Sequence, residues 1–288
     1  MILSTALRNT MGAMLACATL TAAAADAGHA ALKRKFSLPP SADLRYSIRA
    51  RQSGLTLDGD AILKWHTDGS KFTVETESRA MLVGKILDAK SEGGIDEYGL
   101  APATFVERRF RKDPTTTTFD RAANTISFSA SATRYPIVGG EQDRNSAIWQ
   151  LIAVARAARG KFKPGSEWLF FVAGQHDAEP WTFRVDKQET VHSPLGNMMA
   201  MHVIKAPPPD AKGQQLDIWL APSLEWYPVR LRYTEPDGAF HRTDAGNRQQ
   251  AGALNARNPH SPHHARTEIG CGRFRIHIFN FFVSTRQP

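Results

Sequence analysis

A chain of 288 residues with 42% apolar content can bury one large core, which excludes a mainly disordered protein. Lys and Arg outnumber Asp and Glu by 36 to 28, a formal charge of +8. The excess gathers at the C-terminal end, where residues 246–288 hold six Arg, no Lys and one Glu, so no nucleic-acid surface is indicated for the body of the chain.

Arg8 precedes the apolar run Met11–Ala25, which has the length of a signal-peptide core and is too short to span a bilayer. Residues 1–27 therefore read as a secretory signal, with Ala25 and Ala27 as the small-residue cleavage pattern. A periplasmic protein without a transmembrane segment in its mature chain is expected. Met14-Leu15-Ala16-Cys17 offers an alternative, a lipid anchor through Cys17. If Cys17 leaves with the signal, Cys271 is the remaining thiol and no intramolecular disulfide can form.

Residues 28–42, with Pro39-Pro40, read as an extended leader, and residues 43–244 as one β-rich domain. Leu44, Tyr46, Ile48 and Ala50 alternate with Arg45, Ser47, Arg49 and Arg51, the pattern of a half-buried antiparallel strand. The alternation continues from Leu55 to Trp65, and Asp68-Gly69 accepts the positive φ angles of a tight hairpin before Phe72 and Val74. Met81–Glu92 reads as a further strand. Tyr98-Gly99-Leu100-Ala101-Pro102 breaks the pattern before Thr104–Arg111, which places Pro102 at a strand start and Gly99 at the bend. Short strands are expected at Thr117–Asp120 and Thr125–Ala130. The strand arginines Arg49, Arg51, Arg108, Arg109, Arg230 and Arg232 are interleaved with acids and read as solvated faces.

One segment departs from period two. Ile148, Leu151, Ile152 and Ala155 recur at helical spacing, with Asn145 or Ser146 able to cap the start and Gly160 to end it. Ser166–Ala173 is apolar on both faces, as expected of a strand covered on both sides. Strands follow at Trp181–Asp186, Met198–Lys205, Gln215–Ala221 and Trp226–Tyr233, with Pro228 at an edge or bulge and Pro236-Asp237-Gly238 as a turn. The expected fold is a curved antiparallel sheet or half barrel of ten or eleven strands with one inserted helix.

Leu44-x-Tyr46, the Gly59–Trp65 strand, Gly94-Ile95-x-x-x-Gly99-Leu100-x-Pro102, the helix after Asp143, Ser193-Pro194-Leu195-Gly196, and Trp219-Leu220-Ala221-Pro222 followed by Pro228-Val229-Arg230 form an ordered set. In order and spacing it resembles the proteobacterial domain of unknown function 3108 (DUF3108) family over Leu44–Gly238. The resemblance implies an exported cell-envelope protein with an antiparallel β fold, and it supplies no catalytic residues to carry over. Ala239–Thr243 begins a closing strand, whereas Asp244–Arg248 does not look like its continuation. Residues 245–288 accordingly read as a disordered or non-homologous, frameshifted tail.

Motifs that carry chemistry are not found. There is no nucleophile elbow, no phosphate-binding glycine loop, and no helical H-E-x-x-H. His176 and Glu179 fall in a loop, His260, His263 and His264 with Cys271 fit no zinc spacing, and Glu75 with Glu77 or Asp58 with Asp60 read as the wet side of strands. No catalytic, cofactor-binding or metal-ligating residue is assigned, and no cofactor is expected.

What remains is a concave apolar face, for which Trp65, Phe72, Phe170 and Met201 are the candidate lining residues. The expected function is non-enzymatic binding of a lipid or other apolar or amphiphilic small molecule, or of an envelope protein. The alternatives are a periplasmic hydrolase whose carboxylates converge only in the fold, and an envelope assembly or structural factor offering a sheet edge.

Overall fold

The computed structural model describes residues 29–52, 55–207 and 213–250. The predicted signal segment, Cys17, Cys271, the histidine cluster and the chain beyond Gln250 lie outside the described residues. The first half contributes β1 (Ala42–Gln52), β2 (Leu55–Thr67), β3 (Lys71–Ala80), β4 (Gly84–Asp96), β5 (Gly99–Arg109), β6 (Thr115–Asp120), β7 (Thr125–Phe128) and β8 (Ser131–Pro136). After β9 (Gln142–Asp143) comes the helix α1 (Ser146–Ala158), then β10 (Glu167–Ala173), β11 (Ala178–Ser193), β12 (Gly196–Lys205), β13 (Gln215–Leu220), β14 (Pro228–Thr234) and β15 (Phe240–Gln250).

All fifteen strands belong to one sheet, ordered β8-β7-β6-β5-β4-β3-β2-β1-β15-β14-β13-β12-β11-β10-β9. Two meanders are thus joined where β1 pairs with β15 in the middle, and the only parallel pair among the described residues is β9 with β10. The hairpin predicted at Asp68-Gly69 is present: Gly69 has φ +88°, and the Asp68 carboxylate accepts the backbone N–H groups of Ser70 and Lys71. Pro102 and Pro228 each sit at a bulge, opposite Gly93 and Leu220, where a missing N–H costs no regular ladder bond.

The strand count exceeds the predicted ten or eleven for a physical reason. β8 is an almost wholly exposed edge strand with no inward row, and β9 is two residues long, so neither carries a period-two signal. β15 also runs past 244 to Gln250, in register with β1 as far as Ala42↔Gln250. Ladder pairing needs only backbone donors and acceptors, so the polar run Asp244–Arg248 is no obstacle.

The sheet curls until its two halves meet. Thr117 on β6 donates its hydroxyl to the Gly174 carbonyl (2.7 Å), and Phe119, Ile126 and Phe128 pack on Phe171, Ala173 and Ala178. Gln142 donates to the Leu100 carbonyl at 2.7 Å, tying β9 to β5. The edge strands β8 and β9 do not pair, so the barrel stays open. This explains the two apolar faces of β10: Phe170 and Val172 join the main core, while Phe171 and Ala173 meet the folded-over β6–β8 flap.

The helix lies inside the curl and is buried on every side from Ser146 to Ala155. The predicted stripe of Ile148, Leu151, Ile152 and Ala155 is therefore one part of a fully apolar surface completed by Ala147, Trp149, Ala153 and Val154. Its one polar intruder in the middle, Gln150, is satisfied twice, accepting from Leu100 N (2.9 Å) and donating to the Tyr98 carbonyl (2.8 Å). Its cap is Asp143, not the predicted Asn145 or Ser146. The Asp143 Oδ1 accepts both Asn145 N and Ser146 N at 2.8 Å, and Ser146 Oγ accepts Asp143 N in return. The leader runs without regular structure over this end of the curl, where Ser37 N donates to the Ala153 carbonyl and Trp65 Nε1 to the Pro39 carbonyl.

Candidate functional site

Strand parity decides which side chains enter the curl, and the register shows that α1 occupies only half of it. Its C-terminal part lies where β4 turns into β5 and β13 into β14: Gln150 holds the first turn, and Arg156 donates to the Glu225 carbonyl in the second. The other half opens where β1 meets β2, β3 meets β4, and β12 meets β13. There a cavity of about 140 Å³ lies within a larger concavity open to solvent. That volume is about what a benzene-sized group fills.

One wall is apolar, built by Ala61, Leu63, Leu87, Ala89, Phe105 and Leu216. The wall at the seam, where β5 faces β11 and β12, is charged instead: Glu107, Arg109, Arg144, Glu179 and Lys205, with Tyr233 and His241 beside them. Glu107 binds Arg109 in a close ion pair and accepts from Gln175 Nε2 at 3.0 Å, closing the seam between β5 and the β10–β11 turn. Lys205 lies 3.8 Å from the Glu179 carboxylate and 4.7 Å over the Trp181 ring. Arg144 precedes the first turn of α1, and its guanidinium lies flat against Gly174, where a Cβ would stand 2.8 Å from its nitrogens. Among the described residues this guanidinium makes no hydrogen bond and no ion pair.

Burial sets the electrostatics. Desolvation lowers the Arg109 and Lys205 pKa values, in each case against the opposing pull of its carboxylate and with the Arg144 charge adding to the fall. Desolvation also raises the Tyr233 phenol to about 12 and pushes the His241 imidazole down to about 4, so His241 is neutral at physiological pH. Three cations thus stand with two carboxylates along one wall of the cavity.

The four residues singled out from the sequence are all buried, and none lines this cavity. Trp65 and Phe72 are drawn together, with ring centroids 6.1 Å apart, and Trp65 stacks on Trp149 of the helix. Phe170 meets Phe183 edge-on at 5.8 Å, and Met201 lies in the same main core. They hold the plug in place. Arg109, expected on a solvated face, instead has an 8% exposed side chain inside the curl. Arg49 and Arg108 are on the solvent side, and Arg230 and Arg232 flank Trp219 at 5.6 and 5.7 Å on the outer face. The sequence did carry a signal for the seam: Glu107 and Arg109 share parity with inward Phe105, and Lys205 shares it with inward Val203. A charge on an apolar row was the feature to read.

Other polar groups have plain structural roles. His176 is exposed against the Ala130 carbonyl. Glu75, Glu77 and Asp58 are engaged with Lys64, Arg79 with Lys85, and Arg49 on the solvent side. Among the described residues no three His, Cys, Asp or Glu side chains gather as a metal site would need, and no helix is long and apolar enough to cross a membrane.

The fold has known relatives. The beta-barrel-like protein of domain of unknown function DUF1849 from Brucella abortus aligns with a TM-score of 0.52 at 13% identity, over 75% of this chain and 99% of that one. A putative outer membrane lipoprotein-sorting protein domain from Vibrio parahaemolyticus (TM-score 0.28, 7% identity, 75% and 87% covered) aligns too loosely to carry weight. The same holds for a DUF1329 family protein from Desulfovibrio piger (0.29, 10%, 75% and 88%). No curated protein matches the chain. The family described as "Protein of unknown function (DUF3108)" matches residues 45–243, from the first strand into β15, and the chain therefore belongs to the DUF3108 family.

Proposed function

We propose that this protein is a non-enzymatic, exported cell-envelope protein that binds an apolar or amphiphilic ligand in the half of the curl that α1 leaves unfilled. The observation that carries the reading is the cavity of about 140 Å³ with an apolar wall opposite a charged seam, floored by Ile148 and Trp149 of the helix. Export rests on the N-terminal apolar run, and a periplasmic location follows from it. Two competing readings fit the geometry less well. Glu107 and Glu179 do line the cavity, but each is engaged by a cation, Arg109 or Lys205, whereas a hydrolase needs two carboxyls free to flank the scissile bond. The open edge β8 is six residues long, carries Arg134 and ends at Pro136, features that discourage the strand addition an assembly factor would use.

The test compares wild-type protein from a periplasmic fraction with Ala89→Phe, which fills the cavity from β4. Native mass spectrometry should find a co-purifying apolar adduct on the wild type and none on the variant. Bare wild-type protein that short-chain amphiphiles do not stabilise thermally would end the proposal.

A further inference from the structure

We infer that the ligand carries an anionic head, a carboxylate or phosphate, which docks on Arg144 at the charged seam with Lys205 and Arg109 beside it while its tail lies on the apolar wall. This inference rests on the cavity being a binding site and adds the charge of what it takes.

The charge inventory supports it first. Arg109 and Lys205 each have a carboxylate partner, so the positive charge left over in the seam is that of Arg144. The nearest acid in sequence, Asp143, has its carboxyl engaged by Asn145 N, Ser146 N and Ser91 Oγ, and it forms no ion pair with Arg144. A partly exposed arginine lining the cavity, with no anionic partner among the described residues, leaves its donors open to an incoming anion. Its planar fork suits the two oxygens of a carboxylate or phosphate.

Placement supports it second. Glycine at 174 lets the guanidinium lie flat on the backbone, and any larger residue would push it off at 2.8 Å. Arg144 is also fixed from behind, because its neighbours Asp143 and Asn145 are locked by the helix cap and by bonds from Asn145 Nδ2 to the Val74 carbonyl and from the Thr76 hydroxyl to Asn145 Oδ1. The head group is therefore offered a preorganised donor. Tail contact comes from Leu63, Leu87, Ala89, Phe105 and Leu216 across the cavity.

The experiment measures binding of octanoate, octyl phosphate, 1-octanol and inorganic phosphate to wild type, Arg144→Gln and Gly174→Ala, by calorimetry and thermal shift. Octanoate or octyl phosphate should bind the wild type, and Arg144→Gln should weaken either by about tenfold or more. Gly174→Ala should weaken them in the same direction without altering any charge, which keeps the test valid if Arg144→Gln folds poorly. Octanol should bind all three proteins alike. If octanol binds as tightly as octanoate and Arg144→Gln changes nothing, the anionic head is wrong while the apolar site stands. Inorganic phosphate binding as tightly as octyl phosphate would overturn the amphiphile and leave a free-anion site. If none of the four binds, both this inference and the proposed function fall.

Discussion

Trp65 on β2 and Trp149 on α1 stack with ring centroids 4.9 Å apart and planes 12° apart, so two fully buried tryptophans fasten the helix to the sheet. The contact places the plug at one end of the curl and leaves the other free. Truncating either ring removes both transfer free energy and packing, and Trp65→Ala or Trp149→Ala should each cost about 3–5 kcal/mol in urea unfolding. A double-mutant cycle should return a coupling of about 1 kcal/mol, the stacking contribution. Additive effects would show that the rings do not hold each other.

Asp143 is a buried cap whose pKa is raised to about 6, because desolvation outweighs the hydrogen bonds it accepts from Ser91, Ser146 and Asn145. Asp143→Ala should cost about 2–4 kcal/mol, combining the lost cap with an orphaned Ser91 hydroxyl. Asp143→Asn should recover most of this at neutral pH, since the amide oxygen can still accept both helix N–H groups. A raised folded pKa on an acid means that the native state binds the extra proton. The Asp143 contribution therefore falls as pH rises from 3.8 to about 6, and this slope should disappear in Asp143→Asn.

His241 titrates in the opposite sense. Its folded pKa of about 4, against 6.5 for the free group, makes its contribution complete above pH 6.5 and lost as pH falls toward 4. Tyr233, whose ring lies 6.1 Å away, is the titratable neighbour on β14 and stays protonated across this window. His241→Phe should gain about 2–3 kcal/mol relative to wild type between pH 7 and pH 4.5 in denaturant titrations. An unchanged difference between the two pH values would place the imidazole in water.

Gly99 and Gly69 both have positive φ, +112° and +88°, yet they should respond differently to alanine. At Gly69 a Cβ meets nothing within 4 Å, so Gly69→Ala should cost only the left-handed backbone strain, about 1–2 kcal/mol. At Gly99 the Cβ would press into the Gln150 amide and displace its bond to Leu100 N. Gly99→Ala should lower stability by at least about 2 kcal/mol more than Gly69→Ala, read as the gap between their unfolding midpoints.

Sequence alone determined the local chemistry of this protein. Alternation at Leu44–Ala50 and Leu55–Trp65, the Asp68-Gly69 turn, the bends at Gly99-x-x-Pro102 and before Pro228, and the helix around Ile148–Ala155 are written in period and turn residues, because each depends on neighbours within a few positions. Tertiary structure alone decided how the interior is arranged. Whether Trp65 and Phe72 line a groove or grip a helix depends on where α1 lies along the curl, and that depends on pairings such as Ala42↔Gln250 and Thr117 to Gly174, more than fifty residues apart in sequence. The same long-range closure brings Arg109 from β5, Arg144 from the helix lead and Lys205 from β12 to one wall. No periodicity records that meeting, because the field at a site sums over charges that are near in space and remote along the chain.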